Sequence, residues 1–285
     1  MIYLILSILL NTVIFTLFKL FGRLDINTFQ TIVVNYFVCV ITGASFAGPA
    51  KVLAYSGSSA WVYIALALGI VFISTFYLMA LTAQKISMAA SSIASKLSLI
   101  MPVMFSLLIL NTASSFTYIN YAGVLLALLA TWFSAKDHSG DGRELQKIWY
   151  LPVLVFLGNG IIDITINFVN VNLLNKDTLP VFPVYVFLSA AVIGGLILLF
   201  SYVKLKRSSV LGGLFLGIVN YFSVYYILQA LDHLHNNGAQ VFPIFNTGII
   251  LGSALVGILF FKEKLSRINK LGIAIAVVSI LLVMV

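Results

Sequence analysis

Charge is scarce in this chain. Only 8% of its 285 residues are charged and 61% are hydrophobic, whereas a soluble domain carries roughly 25% charged residues. A soluble core could not enclose that much apolar surface, so lipid is the expected solvent. Acids are scarcer than bases, with 8 Asp and Glu against 16 Lys and Arg. The bases lie in short connections rather than on a soluble domain, which argues against a nucleic-acid surface and for a membrane reading of positive charge. Cys39 is the single cysteine and sits inside an apolar run, so no disulfide framework or cysteine metal site is expected. There are 3 histidines. No P-loop, zincin or nucleophile-elbow pattern occurs, so no cofactor is expected. The opening MIYLILSILLNTVIFTLF has no basic n-region and no clear cleavage site, and reads as a retained first helix.

What the chain does have is apolar runs, repeated along its whole length. Each is about 20 residues, enough to cross a ~30 Å hydrocarbon core. A transmembrane β-barrel would instead show ~10-residue alternating segments. Ten spans are expected, near 2–20, 27–47, 60–83, 86–110, 116–135, 148–171, 179–203, 209–231, 237–261 and 266–285. The most polar connection, KDHSGDGRELQK at 136–147, reads as a linker between a first half, 1–135, and a second half, 148–285.

The halves resemble each other. SFTYINYAGVLLALLA (115–130) lies over KLSRINKLGIAIAVVS (264–279), matching Ile119, Asn120, Gly123 and Ala127 to Ile268, Asn269, Gly272 and Ala276. The same offset lays Ala90 over Ala239; slightly smaller ones lay Tyr3-Leu4 over Tyr150-Leu151 and Asn11 over Asn159. Five spans end on the opposite side of the membrane, so a five-span repeat must be inverted. The bases fit this. Lys51 and Lys176 alone fall in the even-numbered connections and Lys96 alone inside a span; the others occupy the odd-numbered ones. The expected fold is thus an all-α membrane protein of ten transmembrane helices in a five-plus-five inverted repeat. Charge places the odd connections in the cytoplasm and both termini outside.

Ten spans closed by FKEKLSRINKLGIAIAVVSILLV resemble the drug/metabolite transporter superfamily, EamA-like branch. Glu263 between the last two spans and Gly272 early in the final one carry the resemblance. SSIASKLSLIMPVMFS resembles the fourth span, and GAQVFPIFNTGIILGSALVGILFFKEKLS the ninth. Asn111-Thr112 stands where many relatives have Gly-Glu. The resemblance covers essentially the whole chain. It implies this fold and transport, leaves the substrate open, and implies both termini inside.

Polar residues inside the spans are the candidates for solute contact. Lys96 lies at least ~15 Å from either end of its span, too deep to snorkel. Asp163 lies ~12 Å from the nearer end of its own. It belongs to a stripe, Asn159, Asp163, Asn167 and Asn170, whose spacing puts all four on one helix face. Two readings compete. Lys96 and Asp163 form a structural ion pair with the asparagines as interhelical glue, or they handle solute and protons. Asn11, by its match to Asn159, Asn220 and Tyr221, and Gln240 and Asn246 complete the candidate lining. Thr31, Asn35, Tyr225 and Gln229 are weaker candidates. Pro102 and Pro243 are candidate hinges, freeing the carbonyls of Ser98 and Ala239. The pairs Gly213/Gly217 and Gly248/Gly252 are expected to permit close helix packing. His233, His235 and Asp232 make only a weak metal signal.

The expected function is secondary transport of a small polar metabolite, an amino acid or other small carboxylate, by alternating access in a bacterial-type inner membrane. Lys96 would bind the solute's anionic group in exchange for Asp163, which makes protons the expected coupling ion. The protein would act as a monomer or homodimer. A channel or a membrane-embedded enzyme is the alternative. The enzyme would need clustered histidines, acids or nucleophiles that this chain does not supply.

Overall fold

The computed structural model describes residues 2–54, 59–101, 117–135, 148–175, 178, 181–201, 204–233 and 238–284; within some helices the backbone alone is described. Among these residues every regular element is a helix. They are α1 (Ile2–Arg23), α2 (Thr28–Ala47), the short α3 (Pro49–Ala54), α4 (Ala60–Lys85), α5 (Met88–Leu97), α6 (Tyr118–Ala135), α7 (Tyr150–Asn172), α8 (Phe182–Phe200), α9 (Arg207–His233), α10 (Gly238–Leu259) and α11 (Arg267–Met284). A helix stands in each of the ten expected segments, with α3 as an addition. Among the described residues five stretches are long and apolar enough to cross a membrane: α1, α2, α4, α8 and Arg207–Ile227 of α9. The chain is therefore an all-α protein compatible with a membrane setting, where backbone groups must be satisfied within each helix.

Local chemistry sets several helix starts. The Asn27 side chain accepts the Gln30 N–H at 3.0 Å, and Ser87 Oγ accepts that of Ala90 at 3.0 Å. Ser266 and Asn269 exchange such bonds reciprocally ahead of α11. These are N-caps, each satisfying donors that have no intrahelical partner.

α5 departs from expectation. Its helix ends at Leu97, and the Ser98 carbonyl, expected to be free, accepts the Met101 N–H at 2.8 Å in a tight turn. Pro102 lies outside the described residues, as do Asn111 and Thr112. The helix thus breaks before the proline, one turn past Lys96. The α10 backbone is helical straight through Pro243.

Glycines set the closest approaches. A Cβ on Gly213 would lie 2.5 Å from Val34 Cβ, and one on Gly217 2.6 Å from Val38 Cβ and 2.8 Å from the Asn35 carbonyl. α9 therefore lies directly on the α2 backbone. Gly248 and Gly252 meet Ile8 and Thr12 of α1 in the same way. Both glycine pairs serve close packing, and in both the helices run parallel, since one turn along one helix matches one turn along the other.

Polar contacts sort the helix ends into two faces. On one, Gln84 Nε2 donates to the Phe18 carbonyl and to Thr28 Oγ1, both at 2.8 Å. There too, Gln30 bonds the backbone of Lys204 and Lys206, and Arg23 donates to the Phe261 carbonyl. These contacts join the first, third, seventh and ninth connections. On the other face Tyr185 Oη donates to the Val52 carbonyl at 2.9 Å, and Trp61 packs on Tyr185. The first, third, seventh and ninth connections, which carry ten of the bases, thus gather on one side.

The packing partners follow a pattern. α2 packs on α9 and α8 on α4; α1 on α9 and α7 on α4; α1 on α10 and α7 on α5; α10 on α11 and α5 on α6. α6 packs on α11, α2 on α8 and α5 on α10. Exchanging α1, α2, α4, α5 and α6 with α7, α8, α9, α10 and α11 turns every one of these contacts into another of the set.

The glycine contacts give a first prediction. Gly217→Ala should destabilise the detergent-purified protein by about 1–3 kcal/mol through overpacking. Gly195→Ala, whose Cβ would meet only Phe37 at 3.5 Å, should be close to neutral. Thermal unfolding of the two variants checks this; equal midpoints would contradict the close approach of α9 to α2.

Candidate functional site

The site is built around α5. Ser253 Oγ of α10 bonds Ser92 Oγ of α5 at 2.5 Å. One turn further along α5, Lys96 Nζ lies 5.2 Å from the centroid of the Phe245 ring of α10, a cation–π contact. Two residues beyond, in the turn that ends the helix, Ser98 Oγ donates to Asp163 Oδ2 of α7 at 2.8 Å. α5 thus holds a cation toward α10 and an acid of α7 by its side.

They do not form the direct ion pair expected from the sequence. Among the described residues the Lys96 ammonium has no hydrogen-bond acceptor and no carboxylate within ion-pair distance, and the second oxygen of Asp163 has no donor. Both side chains are half-buried. The physical reason is positional: Ser98 draws the carboxylate to the turn while the lysine extends over Phe245.

Asn159 and Asn11 share this half-buried character. Asn159 Nδ2 donates to the Val155 carbonyl and Asn11 Nδ2 to the Ser7 carbonyl, each at 3.0 Å and each one turn back on its own helix. Their amide oxygens have no donor among the described residues. Asn246, next to Phe245 in sequence, is buried. The helices carrying these groups close a ring: α1 touches α4, α4 touches α7, α7 touches α5, α5 touches α10 and α10 touches α1.

Other candidates lie elsewhere. Asn220 Nδ2 donates to Asn35 Oδ1 at 3.2 Å in the buried α2–α9 contact, where Cys39 also bonds Asn35 and the Gly217 carbonyl. These residues tie α9 to α2. Tyr221 belongs to an aromatic cluster, its ring 5.6 Å from both Phe46 and Phe222. The side chains of Asn167, Asn170, Gln240, Pro243, Asp232 and His233, and the whole of His235, lie outside the described residues.

Sequence spacing gave no sign of a cluster at the face of the odd connections. Lys19 Nζ pairs with Glu263 Oε1 at 2.8 Å. The same carboxylate accepts the Met88 N–H at 3.2 Å, at the N-terminus of α5, where the helix dipole favours an anion. Lys19 also reaches the Gln84 carbonyl at 3.5 Å. Arg23 bonds the Phe261 carbonyl and lies 4.7 Å from the centroid of its ring. Glu263 therefore fastens α1, α4, α5 and the α10–α11 connection together. Among the described residues no such cluster fastens the opposite face. α1 packs on α4, and α5 along α4, but α7 makes no comparable contact with α9, and α10 only touches α9. Accordingly Phe18 at the α1–α4 contact is 0% exposed, while Ile166 near the end of α7 is 37% exposed.

No family model matches the chain. The chain is similar to an uncharacterized protein of Haemophilus influenzae, 29% identical over 287 residues, spanning 97% of this chain and 95% of that one. It is also similar to a solved crystal structure with a TM-score of 0.54 and 12% identity, over 97% of this chain and 96% of that chain. At that identity the likeness is one of fold, and it runs nearly end to end.

The Glu263 cluster makes a second prediction. Glu263→Gln or Lys19→Met alone leaves the other charge without its partner, at a cost of roughly 3 kcal/mol. The double variant should lose clearly less than the sum of the two singles. A double-mutant cycle on thermal or denaturant stability measures this, and additive losses would mean that the pair is not coupled.

Proposed function

We propose that this chain is a secondary transporter for a small polar metabolite, of the EamA-like drug/metabolite transporter kind, with ten membrane spans in two inverted halves. The observation that carries this reading is a lysine and an aspartate, Lys96 and Asp163, half-buried in an apolar bundle without a direct ion pair among the described residues. A purely structural pair would close on itself, because an uncompensated buried charge is costly. Groups kept open at that cost are suited to a solute that arrives and leaves.

Several features support the inverted repeat. Helix contacts exchange in pairs under the correspondence of the two halves. Asn11 and Asn159, matched by the repeat, make the same bond one turn back. At the offset that lays Ala90 over Ala239, Phe245 lies over Lys96. Lys96 therefore touches its own counterpart, as residues beside a two-fold axis do. Such an axis runs in the membrane plane, where inverted-repeat transporters bind solute.

The missing α7–α9 contact supports alternating access. The bundle is fastened at one face by Lys19, Glu263 and Gln84, and no equivalent closure lies at the other among the described residues. Rocking the two halves would open the first and form the second. With the bases in the cytoplasm, the described state faces outward in a bacterial-type inner membrane. Transport would draw on the solute's own gradient or on protons. A channel would need no such one-sided closure.

Counterflow of amino acids and small carboxylates into proteoliposomes is the direct test. Saturable exchange abolished by Lys96→Ala is expected; no exchange of any small solute by folded protein would sink the transport reading.

Two further predictions address the state and the orientation. By the repeat offset, Ile166 and Tyr225 are the counterparts of Phe18 and Phe76, whose rings meet at 4.9 Å. In a Cys39→Ala background, Ile166→Cys and Tyr225→Cys should cross-link poorly in wild-type context. Adding Glu263→Gln should raise the yield several-fold; an unchanged yield would contradict the rocking motion. For orientation, Lys264→Cys should resist a membrane-impermeant thiol reagent added to intact cells and react after permeabilisation.

A further inference from the structure

We propose that the outward strip of α2 between α8 and α9 seats one anionic phospholipid, its phosphate on Lys204, Lys206 and Arg207 and an acyl chain along Phe37 and Ile41. This stands apart from the transport reading and needs only a bilayer around the helices.

The strip follows from how three helices pack. α8 and α9 both lie on α2 and, among the described residues, are not packed on each other. Gly195 of α8 marks one edge, where a Cβ would lie 3.5 Å from the Phe37 ring. Gly213 of α9 marks the other edge, against Val34. Between these edges α2 is uncovered: Phe37 is 45% and Ile41 67% exposed. Leu196 of α8 and Leu214 of α9 are exposed as well. A surface of this kind suits an acyl chain and does not by itself select a headgroup.

The end of the strip selects one. The connection from α8 to α9 carries Lys204, Lys206 and Arg207 within four residues, all exposed. Gln30, fully buried near the start of α2, holds this backbone with both ends of its amide. Its Nε2 donates to the Lys204 carbonyl at 3.0 Å, and its Oε1 accepts the Lys206 N–H at 3.1 Å. The three bases are therefore carried on a fixed backbone at the end of the helix that floors the strip. Among the described residues none of them has a carboxylate within ion-pair distance, and Asp25 in the first connection pairs with no base.

Length and charge together choose the occupant. Ile41 lies eleven residues beyond Gln30, or ~16 Å along α2, about half of a ~30 Å hydrocarbon core. A phosphate at the bases thus leaves one leaflet's depth of apolar strip for its acyl chain. A zwitterionic headgroup would bring its own ammonium toward three cations. A second copy of this chain, set on the strip by a two-fold axis along the membrane normal, would bring three bases against three, and like charges repel. A small soluble anion would use the bases and leave the strip uncovered.

The test is native mass spectrometry of the detergent-purified protein. The probes are phosphatidylglycerol and phosphatidylcholine with the same acyl chains, and glycerol phosphate as the headgroup alone. One phosphatidylglycerol should be retained at least about tenfold more strongly than phosphatidylcholine, and glycerol phosphate should bind far more weakly. Juxtamembrane bases contribute about fivefold each to affinity for anionic lipid, so Lys204→Gln, Lys206→Gln and Arg207→Gln combined should cost roughly 100-fold. The combination Lys262→Gln, Lys264→Gln and Arg267→Gln removes the same charge from the ninth connection on the same rim, and should change retention by less than about threefold. Equal retention of the two lipids overturns the proposal, as does an equal loss in the two triple variants, which would mean general surface charge. Glycerol phosphate binding as well as the lipid also overturns it. A dimer that phosphatidylglycerol does not dissociate, and that the first triple variant abolishes, would give the strip to a second copy instead. The wild-type comparison of the two lipids decides on its own should a variant fail to fold.

Discussion

Inside a bilayer a charge has no water to solvate it, so each charge in the helical bundle must be answered by the protein or by something it holds. The chain meets this constraint in two ways. Lys19 has a carboxylate at 2.8 Å, and that carboxylate also receives a backbone N–H at the start of α5. This arrangement is complete, and it fastens four segments at one rim. Lys96 has an aromatic face and Asp163 a single hydroxyl. Each contact reduces the cost of burial without removing it. The difference in completeness, rather than the presence of charge, separates a fastening from a binding site.

The same constraint explains the packing. Without a hydrophobic drive between helices in lipid, association depends on close van der Waals contact and on a few polar bonds. Gly213 and Gly217 admit the α2 backbone, and the Asn35–Asn220–Cys39 cluster supplies the polar bonds at that contact. α9 and α2 are thereby joined firmly, across the two halves. The α7–α9 side has neither feature among the described residues. Firm and loose contacts are thus unequally distributed around the bundle among the described residues, which suits the proposed opening of one rim while the paired helices stay together.

What was legible in the sequence is what depends on neighbours along a helix. The apolar runs mark helices because each span must satisfy its backbone within itself. The glycine spacing marks close approach, and the four-residue spacing of Asn159 and Asp163 marks a shared face. Partners across the bundle were not legible. Spacing on one helix does not say that Ser98 would hold Asp163, that Phe245 would lie under Lys96, or that Asn220 would bond Asn35 rather than join the lining. Glu263 stood out by resemblance alone, and its reason is a pairing with Lys19 far away in sequence. The break in α5 was hidden for a related reason. Pro102 drew the expected kink to itself, whereas a turn bonded from Met101 to Ser98 ends the helix first.

The position of Lys96 opposite Phe245 bears on how solute and motion are linked. Two identical halves would place two lysines or two phenylalanines together at the axis. Two lysines would repel each other, and two phenylalanines would offer no charge. Divergence at this position yields one cation resting on a ring. The counterpart of Asp163, at the offset that matches Asn11 to Asn159, is Phe15, a buried core residue. The proposed site therefore takes Lys96 from the first half and Asp163 from the second. A solute bound to both is a strut between the halves, and its length sets their separation around the site. If the halves rock, the Lys96–Asp163 distance must change with them. A solute that fits one separation better than another then shifts the equilibrium by its differential affinity, which is the only means by which a ligand can move a conformational balance. A site confined to one half would bind its solute equally well on either side of the motion and would drive nothing.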